Sequence, residues 1–380
     1  MTTKLRYCVT TKNKTNMQTT ILKKDFINAL TIGGAMAGKN KTLPILEFAK
    51  VEVNADTLSV HSFNGESWVM KQTKVESADT TFAVCINPND LAKVLKSLVE
   101  EVVTFAIDGN LLRISHIKGT IEMPIVQSNA FPQAQEVSEG TSLTLNADKV
   151  KEWLSIATNF VANDELRPVM TGMYIYGKDG RMGVCATDAH KLFTDSIESD
   201  CEEFGVILPS SGFKPLLNII ANVSEVSAVI GVKNISFTTS DSALHCRLVE
   251  GNYPNFKAVI PQNNGVEVKV SKSELLDSVN RASLMANKTT SLLKLSVGDR
   301  VMGIEAHDMD FSTKASENVN VEKTGADVTI GVKSDFFATC LGIVGAEDVV
   351  LRFSDERRPV LFEDSLCKDR VMLVMPMMIN

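Results

Sequence analysis

Few residues in this chain are placed to do chemistry. Its five histidines stand at 61, 116, 190, 245 and 307. Two lie near carboxylates: ATDAHKL sets Asp188 two residues before His190, and EAHDMD gathers Glu305, His307, Asp308 and Asp310. A metal site needs ligands at a helical or loop spacing plus a third donor, and neither segment has that pattern. An enzyme built on Asp188, His190 and Asp308 with a metal or nucleotide is the catalytic reading that remains. GGAMAG at 33–38 has the glycines of a phosphate loop without its Gly-Lys-Ser/Thr, and it falls in a helical pattern. No GxSxG elbow occurs, and no cysteine joins a histidine in a recognisable catalytic setting. The seven cysteines, at 8, 85, 185, 201, 246, 340 and 367, form no CxxC pair and are odd in number. They suit a reducing cytosol better than a zinc ribbon or a disulfide framework. No catalytic residue, metal or cofactor is expected, and a binding or scaffold role is.

The elements that would carry such a role come from a chain of 380 residues, 44% hydrophobic and 22% charged. That composition is globular, and a prior of roughly 150 residues per domain gives two or three domains. No apolar run reaches the roughly 18 residues of a spanning helix, and MTTKLRYCVTTKNKTN lacks the apolar heart of a signal peptide. A cytoplasmic protein without a membrane partner is expected. The net charge of −7 disfavours nucleic acid only if the charge is evenly spread.

Two segment types recur. TTILKKDFINALTIGGAMA, LTLNADKVKEWLSIATNFVA and VKVSKSELLDSVNRASLMAN each read as a short strand entering an amphipathic helix. Anchored at Lys24, Asp148 and Ser273, they lie 124 and 125 residues apart. FAVCINPNDLAKVLKSLV, FGVILPSSGFKPLLNIIANV and VTIGVKSDFFATCLGIVG follow the same period, with Asn89, Ser211 and Ser334 spaced 122 and 123 apart. Two independent markers with one period mean three copies of one domain. Strand pairs with polar turns fill the intervals, so each copy is an α+β unit of about two helices on antiparallel sheets. Linkers fall after FPQAQEVSEG and AVIPQNNG, giving domains 17–138, 139–262 and 263–380 after an extension at 1–16 expected to be disordered.

On the second copy's first helix, Val150, Trp153, Leu154, Ala157, Phe160 and Val161 form an apolar stripe opposite Lys151, Ser155, Thr158 and Asn159. In the third copy Leu275, Leu276, Val279, Ala282 and Met285 oppose Ser278, Arg281 and Lys288. Such faces read singly as solvated surface. Repeated over six helices, sparse lysines among short polar groups also suit phosphates held without base readout.

Several motifs then carry a resemblance. TLPILEFAKVEV with DTLSV, ATNF with ELRPVMTGMYI, ATDAHKLF, VEGNYPNFKAVIP and VMLVMPM are similar, in this order, to the bacterial sliding clamp family, the beta subunits of DNA polymerase III. The match runs from about residue 17 to the end. It implies a head-to-tail homodimeric ring with helices around a hole and sheets outside, encircling double-stranded DNA without reading sequence. Lys39, Lys93, Lys96, Lys151, Arg167, Lys214 and Arg281 would face the DNA. An edge strand carrying Ile121 and Met123 would meet Leu284 and Met285 of a second copy; the alternative is that all four are core. A pocket between the second and third domains would take a peptide with a Gln and two or three apolar anchors. Its matching positions are Met170, Thr187, His190, Lys191, Leu192, Pro254, Val259, Pro359, Val360, Leu373, Val374, Met375, Pro376 and Met377.

The implied partners are the polymerase III catalytic subunit, the clamp loader, and clamp-motif proteins such as repair polymerases, mismatch-repair proteins and ligase. Departures bear on specificity. Ala189 stands where the family has Gly, Lys191 where it has Arg, Pro168-Val169 where some members carry aromatics, and Met378 where Arg often follows. A eukaryote-like clamp has two domains per chain, whereas this repeat counts three; a divergent phage or mobile-element clamp remains an alternative. The tail VMLVMPMMIN reads as a last strand, Val371 to Val374, followed by a pocket wall.

Overall fold

Three of the helices begin, where a strand ends, on a capping side chain. Asn87 accepts from the backbone N–H groups of Asn89 and Asp90 ahead of a proline at the first helical position. Asn146 accepts from Lys149 N, and Ser271 from Glu274 N. The helices are α1 (Lys23–Gly33), α2 (Pro88–Ser97), α3 (Ala147–Ala157), α4 (Phe213–Ile219), α5 (Lys272–Ser283) and α6 (Ser334–Ile343). Lys24, Asp148 and Ser273 are each the second residue of their helix. The computed structural model describes residues 17–379 except Lys41, Thr80, Gln135, Glu136, Ser138 and Glu165, so the extension at 1–16 lies outside the described residues.

The chain divides into two compact units, residues 1–136 with 236–245, and residues 137–235 with 246–380. In the first, an antiparallel sheet orders Ser77–Ala78, Met17–Leu22, Val102–Asp108, Leu111–His116 and Gly119–Pro124. A second orders Val126–Gln127, Phe82–Ile86, Ala49–Asn54, Thr57–Phe63 and Ser67–Lys74. Phe26 and Leu30 of α1 and Leu91 and Leu95 of α2 pack with Val60 and Phe105 in one core. Each such side chain contributes about 1.5–3 kcal/mol by leaving water. The first two glycines of GGAMAG serve this packing. A Cβ on Gly33 would stand 2.3 Å from the Val60 carbonyl oxygen, so α1 ends directly on a strand.

Residues 236–245 belong to this unit because Ser67–Lys74 holds them. Gln72 N donates to Asp241 O at 2.8 Å, and Lys71 Nζ meets Asp241 Oδ2 at 2.6 Å. The Trp68 ring lies between those of His61 (5.3 Å) and His245 (5.1 Å). Burial, helped by Lys50 and opposed by Glu52, lowers the His61 pKa to about 4.

The second unit holds a nine-stranded antiparallel sheet. Its order is Phe204–Pro209, Gly172–Lys178, Arg181–Thr187, Lys191–Glu198, Val371–Val374, Val360–Glu363, Asp348–Phe353, Val266–Ser271 and Glu322–Thr324. The second and third sequence copies share this unit because Lys191–Glu198 pairs with Val371–Val374. A four-stranded sheet orders Thr313–Asn320, Val301–Asp308, Leu292–Val297 and Val328–Lys333. Antiparallel sheets with segregated helices make the α+β class expected from the repeats.

Two helix stripes need correction. Ser278, expected on the polar face, is buried, where its hydroxyl accepts from Arg281 Nη2 at 3.0 Å. Met285, expected in the core, lies beyond the end of α5 and is 38% exposed; Phe160 is buried but lies past α3.

Candidate functional site

ATDAHKL forms a turn that consumes its own polar groups. Asp188 Oδ1 accepts from His190 N and Lys191 N, both at 2.9 Å, and its other oxygen takes the Lys191 ammonium. Thr187 Oγ1 donates to Lys191 O at 2.7 Å and accepts from Ala189 N at 3.1 Å. Lys191 Nζ lies 4.2 Å from the Phe336 ring centre, a cation–π contact. Asp308 is likewise spent on a turn, its Oδ1 accepting from Asp310 N and Phe311 N. Among the described residues no group of three His, Cys, Asp or Glu side chains is placed to hold a metal.

Beside this turn lies an apolar cleft of about 170 Å³ within the second unit. Of the residues matched from sequence, Met170, Thr187, Lys191, Leu192, Pro254, Val259, Leu373 and Met375 line it. Ala189, singled out from sequence as a departure, lines it too, as do Asn255 and Phe256, which were not anticipated although they follow Pro254 directly in the YPNF turn. Behind the cleft Tyr174 stacks on Tyr253 at 4.9 Å and on Tyr176 at 5.5 Å. Burial raises the Cys185 thiol and Tyr253 hydroxyl pKa well above their ordinary values, so this wall stays neutral.

The remaining matched positions are elsewhere. Val360 and Val374 are fully buried and paired with each other in the sheet, and Pro359 is buried beside them. His190 is exposed, its carbonyl accepting from Met375 N at 2.8 Å and its ring 6.2 Å from Phe336. Pro376 turns the chain away. Met377 N then donates to Gly331 O at 2.8 Å, putting Met377 in another recess with Met378 and Ile379. A uniformly apolar strand hides which side chains turn inward, because it has no polar alternation to read. A wider recess of about 600 Å³ is lined by Asp327, Asp355, Glu356, Arg357 and Arg358. Its open, charged walls offer an apolar anchor little burial.

The matched cations differ in how free they are. Lys93 pairs with Asp90 at 3.1 Å, Lys151 with Asp148 at 3.0 Å, Arg167 with Asp164 at 3.5 Å, and Arg281 with Glu317 at 2.7 Å. Lys39, Lys96 and Lys214 are exposed, and among the described residues no carboxylate pairs with Lys96 or Lys214.

Each unit also ends a sheet on an edge strand. In the first it is Gly119–Pro124, whose Ile121 and Met123 are half-buried against the core. In the second it is Thr313–Asn320, where Thr313 Oγ1 donates to Met285 O at 3.1 Å. Leu284 beside it is 65% exposed. The four matched residues are therefore not all core.

The chain is matched in sequence by three domains of one family. These are the DNA polymerase III beta subunit N-terminal domain over residues 17–135, its central domain over 144–255 and its C-terminal domain over 257–378. A beta sliding clamp from Pseudomonas aeruginosa is 22% identical over 366 residues, covering 95% of this chain and all of the relative. One from Lactococcus lactis is 26% identical over 353 residues, covering 89% and 93%. Among solved structures, the DNA polymerase III subunit beta of P. aeruginosa superposes with a TM-score of 0.89 at 22% identity, covering 95% of this chain and 100% of that one. The Bacillus subtilis DNA polymerase sliding clamp also gives 0.89, at 20% identity, covering 96% and 100%. With consecutive matches to all three domains across residues 17–378, this chain belongs to the DNA polymerase III beta subunit family.

Proposed function

We propose that the chain is a DNA sliding clamp, a binding and scaffolding protein without catalytic chemistry of its own. The observation that carries this reading is the unbroken run of three domain matches, each bearing its own pair of helices. The domains are taken as 17–138, 139–262 and 263–380. Two copies close head to tail when the Gly119–Pro124 edge of one pairs with the Thr313–Asn320 edge of the other, bringing Ile121 and Met123 to Leu284 and Met285. An edge strand with unpaired backbone groups favours such augmentation, and a heterologous contact closes a ring when its rotation allows. Double-stranded DNA then passes through, held by the exposed cations rather than by base contacts.

The apolar cleft receives the partner peptide, with Met170, Leu373 and Met375 accepting its anchors; methionine adapts to several anchor shapes. Its partners are the replicative polymerase's catalytic subunit, the clamp loader and other clamp-motif proteins, in the cytoplasm. No described helix is long and apolar enough to cross a membrane.

Topological binding has a specific test. Loaded by its cognate loader onto nicked circular DNA, the protein should stay bound through a high-salt wash and be released when the circle is cut. Equal release from circular and linear DNA, or a monomer at micromolar concentration, sinks the reading.

A further inference from the structure

Four charged side chains close a ring at one end of the cleft's wall. Arg370 Nη2 donates to Glu152 Oε1 and to Asp195 Oδ2, the latter at 3.1 Å. Lys149 Nζ donates to Glu152 Oε2 at 3.0 Å and to Asp195 Oδ2 at 2.9 Å. Each cation thus touches both anions, and the ring is neutral. The side chains of Arg370 and Asp195 are only 4% and 3% exposed. Burial alone would raise the pKa of Glu152, but Arg370 and Lys149 hold it below the usual carboxylate range. Apolar side chains of similar volume often hold such a position as well or better, so stability does not by itself account for the buried pair Arg370–Asp195 at the ring's centre.

Its place in the sheet does. Val371–Val374 pairs with the neighbouring strand as Thr194 to Val371, Phe193 to Met372, Leu192 to Leu373 and Lys191 to Val374. Arg370 precedes the first rung and Asp195 lies one beyond it. At the other end Leu192, Leu373 and Met375 line the cleft. Register is normally set by one buried and one wet face, since a slip of one residue exchanges them. Here Met372, Leu373 and Val374 are all buried, so a slip exchanges one apolar side chain for another. It would nonetheless turn Leu373 and Met375 out of the cleft together.

We propose that Arg370, with Asp195, Glu152 and Lys149, is the register lock of strand Val371–Val374, and therefore a positioning group for the peptide that enters the cleft. The consequence for binding rests on the cleft being the peptide site. The lock itself does not.

The test compares Arg370→Met with the fourfold variant Lys149→Met, Glu152→Leu, Asp195→Leu, Arg370→Met. The single change leaves the buried Asp195 and the half-buried Glu152 beside one lysine and should lower Tm; the fourfold change should restore it. Despite that recovery, methyl NMR of the unliganded fourfold variant should show a second set of Leu373 and Met375 signals. A synthetic peptide with one Gln and apolar anchors should bind it at least about tenfold more weakly than wild type. Recovered Tm with a single set of methyl signals and wild-type affinity overturns the proposal. Should the fourfold variant not fold, the double variant Asp195→Asn, Arg370→Gln is read instead. It removes the buried charges and leaves Lys149 with Glu152, and a single methyl set there also overturns the lock. Doubled methyl signals together with a wild type that ignores the peptide would remove the cleft reading and leave the lock standing.

Discussion

Two strand seams in this molecule solve the same problem differently. Ser67–Lys74 meets residues 236–245 through backbone bonds and one ion pair, Lys71 to Asp241, whose carboxylate is 48% exposed. Lys191–Glu198 meets Val371–Val374 through four rungs and a ring of four charges, of which Arg370 and Asp195 are buried while Lys149 and Glu152 reach the surface. The strand Ser67–Lys74 alternates buried and half-buried along most of its length, so its pattern alone specifies register. Val371–Val374 has no such alternation. Charge is concentrated where hydrophobic pattern carries no information, and that is also where a cleft depends on register.

The comparison can be broken first at its strongest point. Arg370→Ala should destabilise the second unit by about 3 kcal/mol, because it leaves the buried Asp195 short of a partner. Urea unfolding followed at the buried Trp153 would read it, and a loss no larger than that of Lys71→Ala would erase the distinction. Acid separates the seams next. The depressed pKa of His61 means the unfolded chain binds the extra proton first, so stability is present above pH 6.5 and lost as pH falls toward 4. At about 1.4 kcal/mol per unit, the first unit should lose on the order of 3 kcal/mol over that window. His61→Phe should flatten the dependence of Tm on pH there; an unchanged slope would assign it to other groups. Glu152, held below its usual range by Arg370 and Lys149, should keep the second seam intact until lower pH.

Lys71→Ala should cost about 1 kcal/mol, since its partner is half in water. Burial would raise the Asp241 pKa, but Lys71 holds it low. That contribution should therefore be present near neutrality and fade in acid, which thermal melts of wild type and variant at both pH values would compare. Smallest of all, Lys93→Ala should change stability by no more than about 0.5 kcal/mol, as its pair with Asp90 is exposed. A larger loss in a thermal melt would mean surface pairs matter more than burial suggests.

Much of the architecture was legible because capping and periodicity are local. Lys24, Asp148 and Ser273 could be aligned because each opens an amphipathic helix directly after a short strand, and in two of the three Asn146 and Ser271 cap that helix by short-range bonds. The partition into two units was not legible, since it depends on Asp241 meeting Lys71, 170 residues away in sequence. In the cleft, positions on polar or turn-bearing segments were found, among them Thr187, Lys191 and Pro254. Val360, Val374 and Met377 lie outside the cleft's lining, and apolar residues in a row do not declare which way they point. Phe256 was within reach, as the aromatic two residues past Pro254. The Arg370 ring left no signal, its members being scattered from 149 to 370.

Ala189 lines the cleft with φ at 75°, a conformation that glycine adopts freely and alanine only at some cost. The fold thus accepts local strain to keep one methyl group at the mouth of an apolar slot. Any inhibitor designed for this cleft meets a doorway narrower than a glycine would leave. Selectivity against relatives with glycine there can be sought in ligands shaped to rest on that methyl.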